Sequence, residues 1–588
     1  MRLTGRRIAA TSLLLSAAMF SACDDDEPTG NGKPPQLLGV QAAATGPTTV
    51  RVSFNSRAGD NSFIIERAQG ATSTSFAPAG TVQAPATPGT VNFDDTGLIA
   101  NTDYQYRVVA VRGTQQSDPS TAASVKTQVQ PGQTIEVTQD ITTSTTWTKN
   151  NTYVLKGFIH VANAATLTIE AGTRIVGDFN TLGSSLFVLR GAKINAIGTA
   201  TEPIVFTSSQ PAGQRKPGDW GGLIIVGNAT LSRTGVDIDV EGTGTDLTDP
   251  PPSGKNYRVR YSGGSNDADN SGELRYVRVE FAGYAPSVNN ELNSFTFAAV
   301  GSGTTLSYLQ TVAGLDDSYE WFGGTVSAHH LVSYDSGDDH FDMSEGFRGR
   351  LQYLIGLQTR AYGPGDIRTN AGSASTDPQG IENDGCQGAG CPNGPNTTPY
   401  TTPVVANFTL VGTGDVASSA ASGGVGAMLR RGTAGYYVNG VLSRWPRAAI
   451  SVRDAETYVR AGSAATQDLN AADLAVKNVL VTESAAPFQT GTGQNSLDLA
   501  GNAITNNTTA TTASLFTAFP TTVDATTTAA AFDWTPPAAS PAAAGGLATF
   551  TGKLATAAGT VVTGTSYVGA AQPGGQKWWQ GWTIYARN

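Results

Sequence analysis

Leu306-Ser307-Tyr308-Leu309, Ala328-His329-His330-Leu331 and Leu351-Gln352-Tyr353-Leu354 share one pattern: an apolar residue, a polar one, a ring and a leucine. From Tyr308 to His330 to Tyr353 the steps are 22 and 23 residues. Leu274-Arg275-Tyr276-Val277 fits the pattern upstream. Asn407, Asn439 and Asn478 take the place of the ring downstream, in Val405-Ala406-Asn407-Phe408, Tyr437-Val438-Asn439-Gly440 and Lys477-Asn478-Val479. A short extended segment repeated at one interval marks a solenoid, in which each turn lays a strand on the last. Further short strands with Gly-rich corners are expected at 153–161, 166–169, 186–189, 204–207 and 223–226, and helical periodicity is absent. Residues 134–490 are thus predicted to form a parallel β-helix, with 491–588 as the last rungs and a closing segment. Asn at the marked position is expected to bond to neighbouring rungs as a ladder.

Composition agrees. The 588 residues include 69 Gly and only 14% charged side chains, which suits an all-β chain with many tight turns. The formal charge of -10 excludes a basic nucleic-acid surface.

The N-terminus reads as a targeting segment. Arg2, Arg6 and Arg7 precede an apolar run at 8–20, and Phe20-Ser21-Ala22-Cys23 resembles a lipobox with Phe in place of the usual Leu. The resemblance implies removal of 1–22, lipidation of Cys23 and anchoring to the cell envelope, at the outer membrane. Cleavage by an ordinary secretory route is the alternative. Residues 23–34 are acidic, then Pro/Gly-rich, and read as a tether. No later stretch is apolar for long enough to make a membrane-spanning helix. Cys386 and Cys391 flank a short loop, and in an oxidising compartment they are expected to form a disulfide; a zinc site is the alternative, half built without an adjacent His.

Between 35 and 128, alternating Val50, Val52 and Phe54, then Phe63 to Arg67, then Tyr104, Tyr106 and Val108 predict a β-sandwich. Leu98-Ile99-Ala100-Asn101-Thr102-Asp103-Tyr104-Gln105-Tyr106-Arg107-Val108 resembles the fibronectin type III corner, which makes Tyr104 the corner tyrosine. Phe54 stands where that family usually has Trp.

The region after 134 is similar to pectin-lyase-like right-handed β-helices, and more narrowly to bacterial surface lipoproteins. The resemblance rests on Gly218-Asp219-Trp220-Gly221-Gly222, the run from Gly263 to Gly272, Trp321-Phe322-Gly323-Gly324, Met428-Leu429-Arg430-Arg431-Gly432, Tyr567-Val568-Gly569-Ala570, Trp578 and Trp582. It implies fold and location more than activity. The aromatic C-terminus is expected to cover the open end of the solenoid; a sugar-stacking platform is the alternative.

Three places carry candidate chemistry. Asp267, Asp269 and Ser271 alternate before Gly272, which reads as a plain Asx/Gly turn or as the first half of a calcium loop; for the latter, Arg278 stands where an EF-hand has its bidentate Glu, leaving Glu273 or Glu280 to substitute. Asp316, Asp317, Asp335, Asp338, Asp339 and Asp342 form an acidic cluster, with His329, His330 and His340 nearby. In it, Asp316, Asp317 and Glu320 precede Asp338, Asp339 and Asp342 by 22 residues, one turn, so the carboxylates are expected to stack. Three outcomes would relieve the repulsion: side chains that splay into water, a shared proton, or a cation, calcium on Asp316, Asp317, Asp338, Asp339 and Asp342 being the hypothesis carried forward. Polygalacturonases pair Asp residues in this way, yet the Gly-His-Gly and Arg-Ile-Lys triplets they need do not occur. For a lyase, Arg348, Arg350, Arg430 and Arg431 qualify by type alone.

The expectation is therefore an exported, lipid-anchored surface protein that binds a glycan or a partner protein without catalysis. The alternative is a calcium-dependent polysaccharide lyase or glycoside hydrolase.

Overall fold

The computed structural model describes residues 33–585, apart from 129–131, 245–257, 287–289, 373–374, 376–377, 416–423, 463–465, 521 and 525. Cys23 and the targeting segment lie outside the described residues. The chain divides into two units, Met1–Pro131 and Gly132–Asn588.

The first unit is a β-sandwich. Gln41–Gly46, Thr49–Asn55 and Thr90–Thr96 make one antiparallel sheet; Ser62–Gln69, Ala77–Gln83, Asp103–Arg112, Gln115–Gln116 and Ala123–Lys126 make the other. Val50, Val52, Phe54, Phe63, Ile65, Tyr104, Tyr106 and Val108 alternate inward to form the core. Phe54 fills the site of the family's Trp by meeting Phe63 edge-on, ring centres 4.8 Å apart. The Tyr104 hydroxyl accepts the Ile99 amide at 3.0 Å, which closes the corner.

The second unit is a parallel β-helix. One long sheet runs from Thr134–Val137 to Ile504–Asn507; a second stacks Phe158–Val161, Ser185–Val188, Leu223–Val226, Phe295–Ala298, Tyr319–Phe322, Phe341–Ser344, Ile381–Asp384, Val425–Arg430 and Ala448–Arg453 in parallel. Inward side chains stack in files. Phe295, Tyr319 and Phe341 lie ring on ring with centres 5.3 Å apart at each step, close to the ~4.8 Å strand repeat.

The repeat that reveals the solenoid marks its corners. Tyr276, Tyr308, His330, Tyr353, Asn407, Asn439 and Asn478 all have φ between 49° and 65°. In the preceding rung the same bend separates two strands, Lys193–Ile197 and Ile204–Ser208, which pair with the two halves of Gly272–Glu280. One left-handed residue thus replaces a loop and turns the strand. Asn tolerates this conformation best. The bulkier rings offset their strain by stacking: Tyr276 on Tyr308 and Tyr308 on His330, each at 4.5 Å, then His330 on Tyr353 at 4.8 Å.

The expected Asn ladder takes another form. The corner Asn side chains mostly bond to the C-terminal segment. Asn407 donates to Thr565 Oγ1 at 2.8 Å and to Gly569 O at 3.1 Å, and Asn439 accepts the Leu547 amide at 2.6 Å. Gln310 pairs with Ile584 through both its amide atoms. The C-terminal segment therefore runs back along the flank of the solenoid, a different place from the end that sequence reasoning gave it. It covers Val312, Val332, Ile355, Val411, Val441 and Leu480 with Phe532, Trp534, Trp579, Trp582 and Tyr585. This second buried face explains strands that are apolar throughout, such as Val404–Val411. Trp579 and Trp582 are fully buried, so they offer no platform to a sugar.

Among the described residues, no helix is long and apolar enough to cross a membrane.

Candidate functional site

The second sheet turns alternate side chains outward. Three successive strands present Glu320, Asp342 and Glu382 in direct register. The step of 22 residues thus places Glu320 beside Asp342 as expected. The next rung follows an insertion, which hides Glu382 from a periodicity search. Residues 233–244, an insertion from an earlier rung, bring Arg233, Asp239 and Glu241 over this face. Together with Tyr261, Phe322, Glu345, Asp384, Arg430 and Arg431 they enclose a cleft of about 400 Å³.

Carboxylates converge on its floor and behind it. Oxygens of Asp317, Glu320 and Asp342 lie within 4.8 Å of one another, as do those of Asp339, Asp342 and Glu382, of Asp316, Asp317 and Asp338, and of Glu241, Glu291 and Asp316. Asp342 is the shared vertex of two of these sets, and its Oδ1 is buried without a hydrogen-bond partner. Burial, then the neighbouring carboxylates, push Asp316, Asp317, Glu320, Asp339 and Asp342 well above the usual carboxylate range. Burial and Asp384 raise Glu382 to about 8, despite the opposing pull of its partner Arg430. Asn293 Nδ2 donates to both Glu241 and Glu320, and burial pushes both carboxyls above the usual range.

Two of the acidic residues also hold the backbone. Asn293 Oδ1 accepts the Asp317 amide at 3.1 Å, Asp317 Oδ1 the Asp339 amide at 2.8 Å, and Asp339 Oδ1 the Gln379 amide at 2.7 Å. Gln379 Oε1 continues the file to the Val425 amide at 2.9 Å. A side-chain ladder therefore exists, at a corner different from the one expected, and Asp317 and Asp339 are rungs of it.

The remaining candidates fall elsewhere. Asp267 Oδ1 accepts the Thr230 amide at 2.9 Å and its Oδ2 pairs with Arg348 at 3.0 Å. Asp269 Oδ2 accepts the Asn228 amide at 3.0 Å, and the Ser271 amide donates to Thr304. These residues fasten one rung to the next and do not converge as a calcium loop. Of the two substitutes, Glu280 is paired with Arg278 at 2.6 Å. Asp335 accepts from the amide and hydroxyl of Thr359. His340 is buried with its Nδ1 2.5 Å from Ser333 Oγ, and burial lowers its pKa to about 3. His329 and His330 sit at the ring corner, Nδ1 to Nδ1 at 2.6 Å. None of the three lines the acidic cleft. Arg430 and Arg431 do, and each is paired with Asp384. Cys386 and Cys391 are joined as a disulfide, Cα atoms 5.8 Å apart, and its loop borders the cleft through Gly385 and Gln387. The Gly390 carbonyl accepts the Thr234 amide at 2.9 Å, tying this loop to the insertion that carries Glu241.

Fold and cleft define a class: a fibronectin-type sandwich joined to a parallel β-helix with an acidic outer groove. A sequence model of the pectate-lyase-like β-helix domain matches residues 139–535, and the chain belongs to that family. Solved structures similar to the chain cover the sandwich. The FN5 domain of Drosophila Lar is 21% identical over 16% of this chain and 99% of its own, with a TM-score of 0.13. The sixth fibronectin type III domain from human fibronectin type III domain containing protein 3 is 21% identical over 18% of this chain and 94% of its own, with a TM-score of 0.15. Chicken CNTN1 domains FN1–FN3 are 15% identical over 16% of this chain, with a TM-score of 0.15, and the match spans 31% of that structure. No curated protein matches the sequence.

Proposed function

We propose that this is an exported, envelope-anchored binding protein whose acidic cleft takes a divalent cation, most simply calcium, and through it a glycan. The observation that carries this reading is Asp342, a shared vertex of two carboxylate sets with an unpartnered oxygen. In each set the oxygens lie within 4.8 Å of one another, close enough for one calcium at ~2.4 Å to reach all three. Bound calcium supplies the positive charge these carboxylates lack, and its remaining positions accept sugar hydroxyls or carboxylates. Asp342 holds it with Asp317 and Glu320 or with Asp339 and Glu382, Arg430 and Arg431 fix Asp384 at the rim, and Tyr261 and Phe322 wall the cleft. Lipidation of Cys23 attaches the chain to the outer membrane in this reading, and the fibronectin-type unit serves as a spacer.

A second reading follows from Glu382, which keeps its proton to about pH 8 and so has the character of a general acid. A glycan array probed with the mature protein in calcium and in chelator tests the first reading, and a depolymerisation assay on the glycans retained tests the second. Retention only in calcium with no chain cleavage is the expected result.

A further inference from the structure

A second cavity, of about 700 Å³, opens at the corner after the strands that floor the acidic cleft, and shares no residue with it. Its walls include Asp267, Arg348, Arg350, Pro399, Tyr400 and Ala557. It is thus built jointly by the turns of the solenoid and by the helix Gly552–Ala558 of the returning C-terminal segment.

The charge balance here is the reverse of that in the cleft. Arg348 shares its Nη2 between Thr230 Oγ1 and Asp267 Oδ2, both at 3.0 Å, and its Nε is buried without a partner. Arg350 donates its Nε to the Ala557 carbonyl at 2.6 Å and, among the described residues, makes no ion pair. Two guanidiniums against one carboxylate leave this pocket positive in a chain of net charge -10. A half-buried cation without a counter-ion is unfavourable until an anion arrives. A guanidinium pinned through Nε presents its outer N–H groups as a fixed fork, the geometry that receives a carboxylate through two bonds. Tyr400 adds a flat wall, backed by the Arg460 guanidinium 3.6 Å from its ring centre. The volume is that of a ligand cavity, roughly 300–1,000 Å³.

We propose that this cavity binds a small organic carboxylate, with the anion on Arg350 and the ring or apolar part against Pro399 and Tyr400. The carboxylate is either a free acid or one unit of an acidic glycan. Calorimetric titration of the full chain with acetate, benzoate, glucuronate and an oligouronate tests it, with glucose as the uncharged control. At least one carboxylate should bind and glucose should not. Arg350→Gln should weaken binding about tenfold or more, as expected for a charge-assisted pair, and Arg350→Lys should recover part of it. Ala557→Leu, which narrows the cavity beside Arg350 and leaves both arginines in place, should also weaken binding, with circular dichroism showing each variant folded. An oligouronate that binds tighter than glucuronate identifies the glycan source, and equal affinities identify the free acid. Wild-type protein that binds none of the carboxylates, or Arg350→Gln and Ala557→Leu variants that bind as wild type, would overturn the proposal.

Discussion

Glu320 and Asp342 are direct partners on adjacent parallel strands, with Glu382 next in the same file. Acidic side chains on neighbouring strands repel when both are charged, and burial adds to the cost. The protein at neutral pH must therefore hold protons or a cation there.

This arrangement sets a pH dependence. Glu382 keeps its proton in the folded state to about pH 8, whereas the unfolded chain releases it near 4.5. A carboxyl with a raised folded pKa costs nothing below the unfolded value and progressively destabilises the fold as pH rises between the two. In chelator, the unfolding midpoint of the β-helix is expected to fall from pH 5 to pH 8. Glu382→Gln should flatten that slope. A midpoint that rises across the window would refute the assignment.

The corner residues tie the C-terminal segment to the solenoid. Trp582 is fully buried against Tyr276 and Tyr308, edge-on at 5.6 and 6.1 Å. Trp582→Ala should cost about 3–5 kcal/mol by denaturant unfolding. Asn439 has φ 58° and holds Leu547. Asn439→Gly loses the side-chain bonds but removes the Cβ from the left-handed region, whereas Asn439→Ala loses the same bonds and keeps it, and should be less stable than the Gly variant by about 1 kcal/mol. Equal stabilities for wild type and both variants would show that the segment is not held there.

The Cys386–Cys391 loop supports the wall of the cleft through Gly390 and Thr234. Thiol counting on the unreduced mature protein should find both cysteines blocked. Cys386→Ser with Cys391→Ser should lower calcium affinity severalfold while the unfolding midpoint moves little, since most of the solenoid core is untouched. Two free, metal-bound thiols in wild type would favour zinc instead.

Anchoring is tested at Cys23. Labelled fatty acid should enter the wild-type protein and not the Cys23→Ser variant, which should leave the membrane fraction. Failure of the wild type to take up label would remove the anchor from the account.

The β-helix was legible because corner residues recur at a near-constant step, and the sandwich because its corner tyrosine has a local signature. Glu320 over Asp342 was legible for the same reason, as no insertion separates their rungs. Glu241, Glu382 and Asp384 were not, because inserted segments break the period and bring them in from a distance. The Asp267 run read two ways because alternate oxygens before a Gly describe a turn as well as a ligand set. The C-terminal aromatics announced burial without saying against which face.

Calcium titration by calorimetry on the full chain, in wild type and in Glu320→Gln/Asp342→Asn, tests the cleft most directly. Saturable binding, proton release and tighter affinity at pH 8 than at pH 5 are expected. Asp267→Asn should bind as wild type, and Asp316→Asn/Asp338→Asn more weakly. The Glu320→Gln/Asp342→Asn variant should lose affinity by about tenfold or more, as two charged oxygen ligands are removed. Absence of binding in wild type, or equal affinity in that variant, would show that the acidic cleft is not a calcium site.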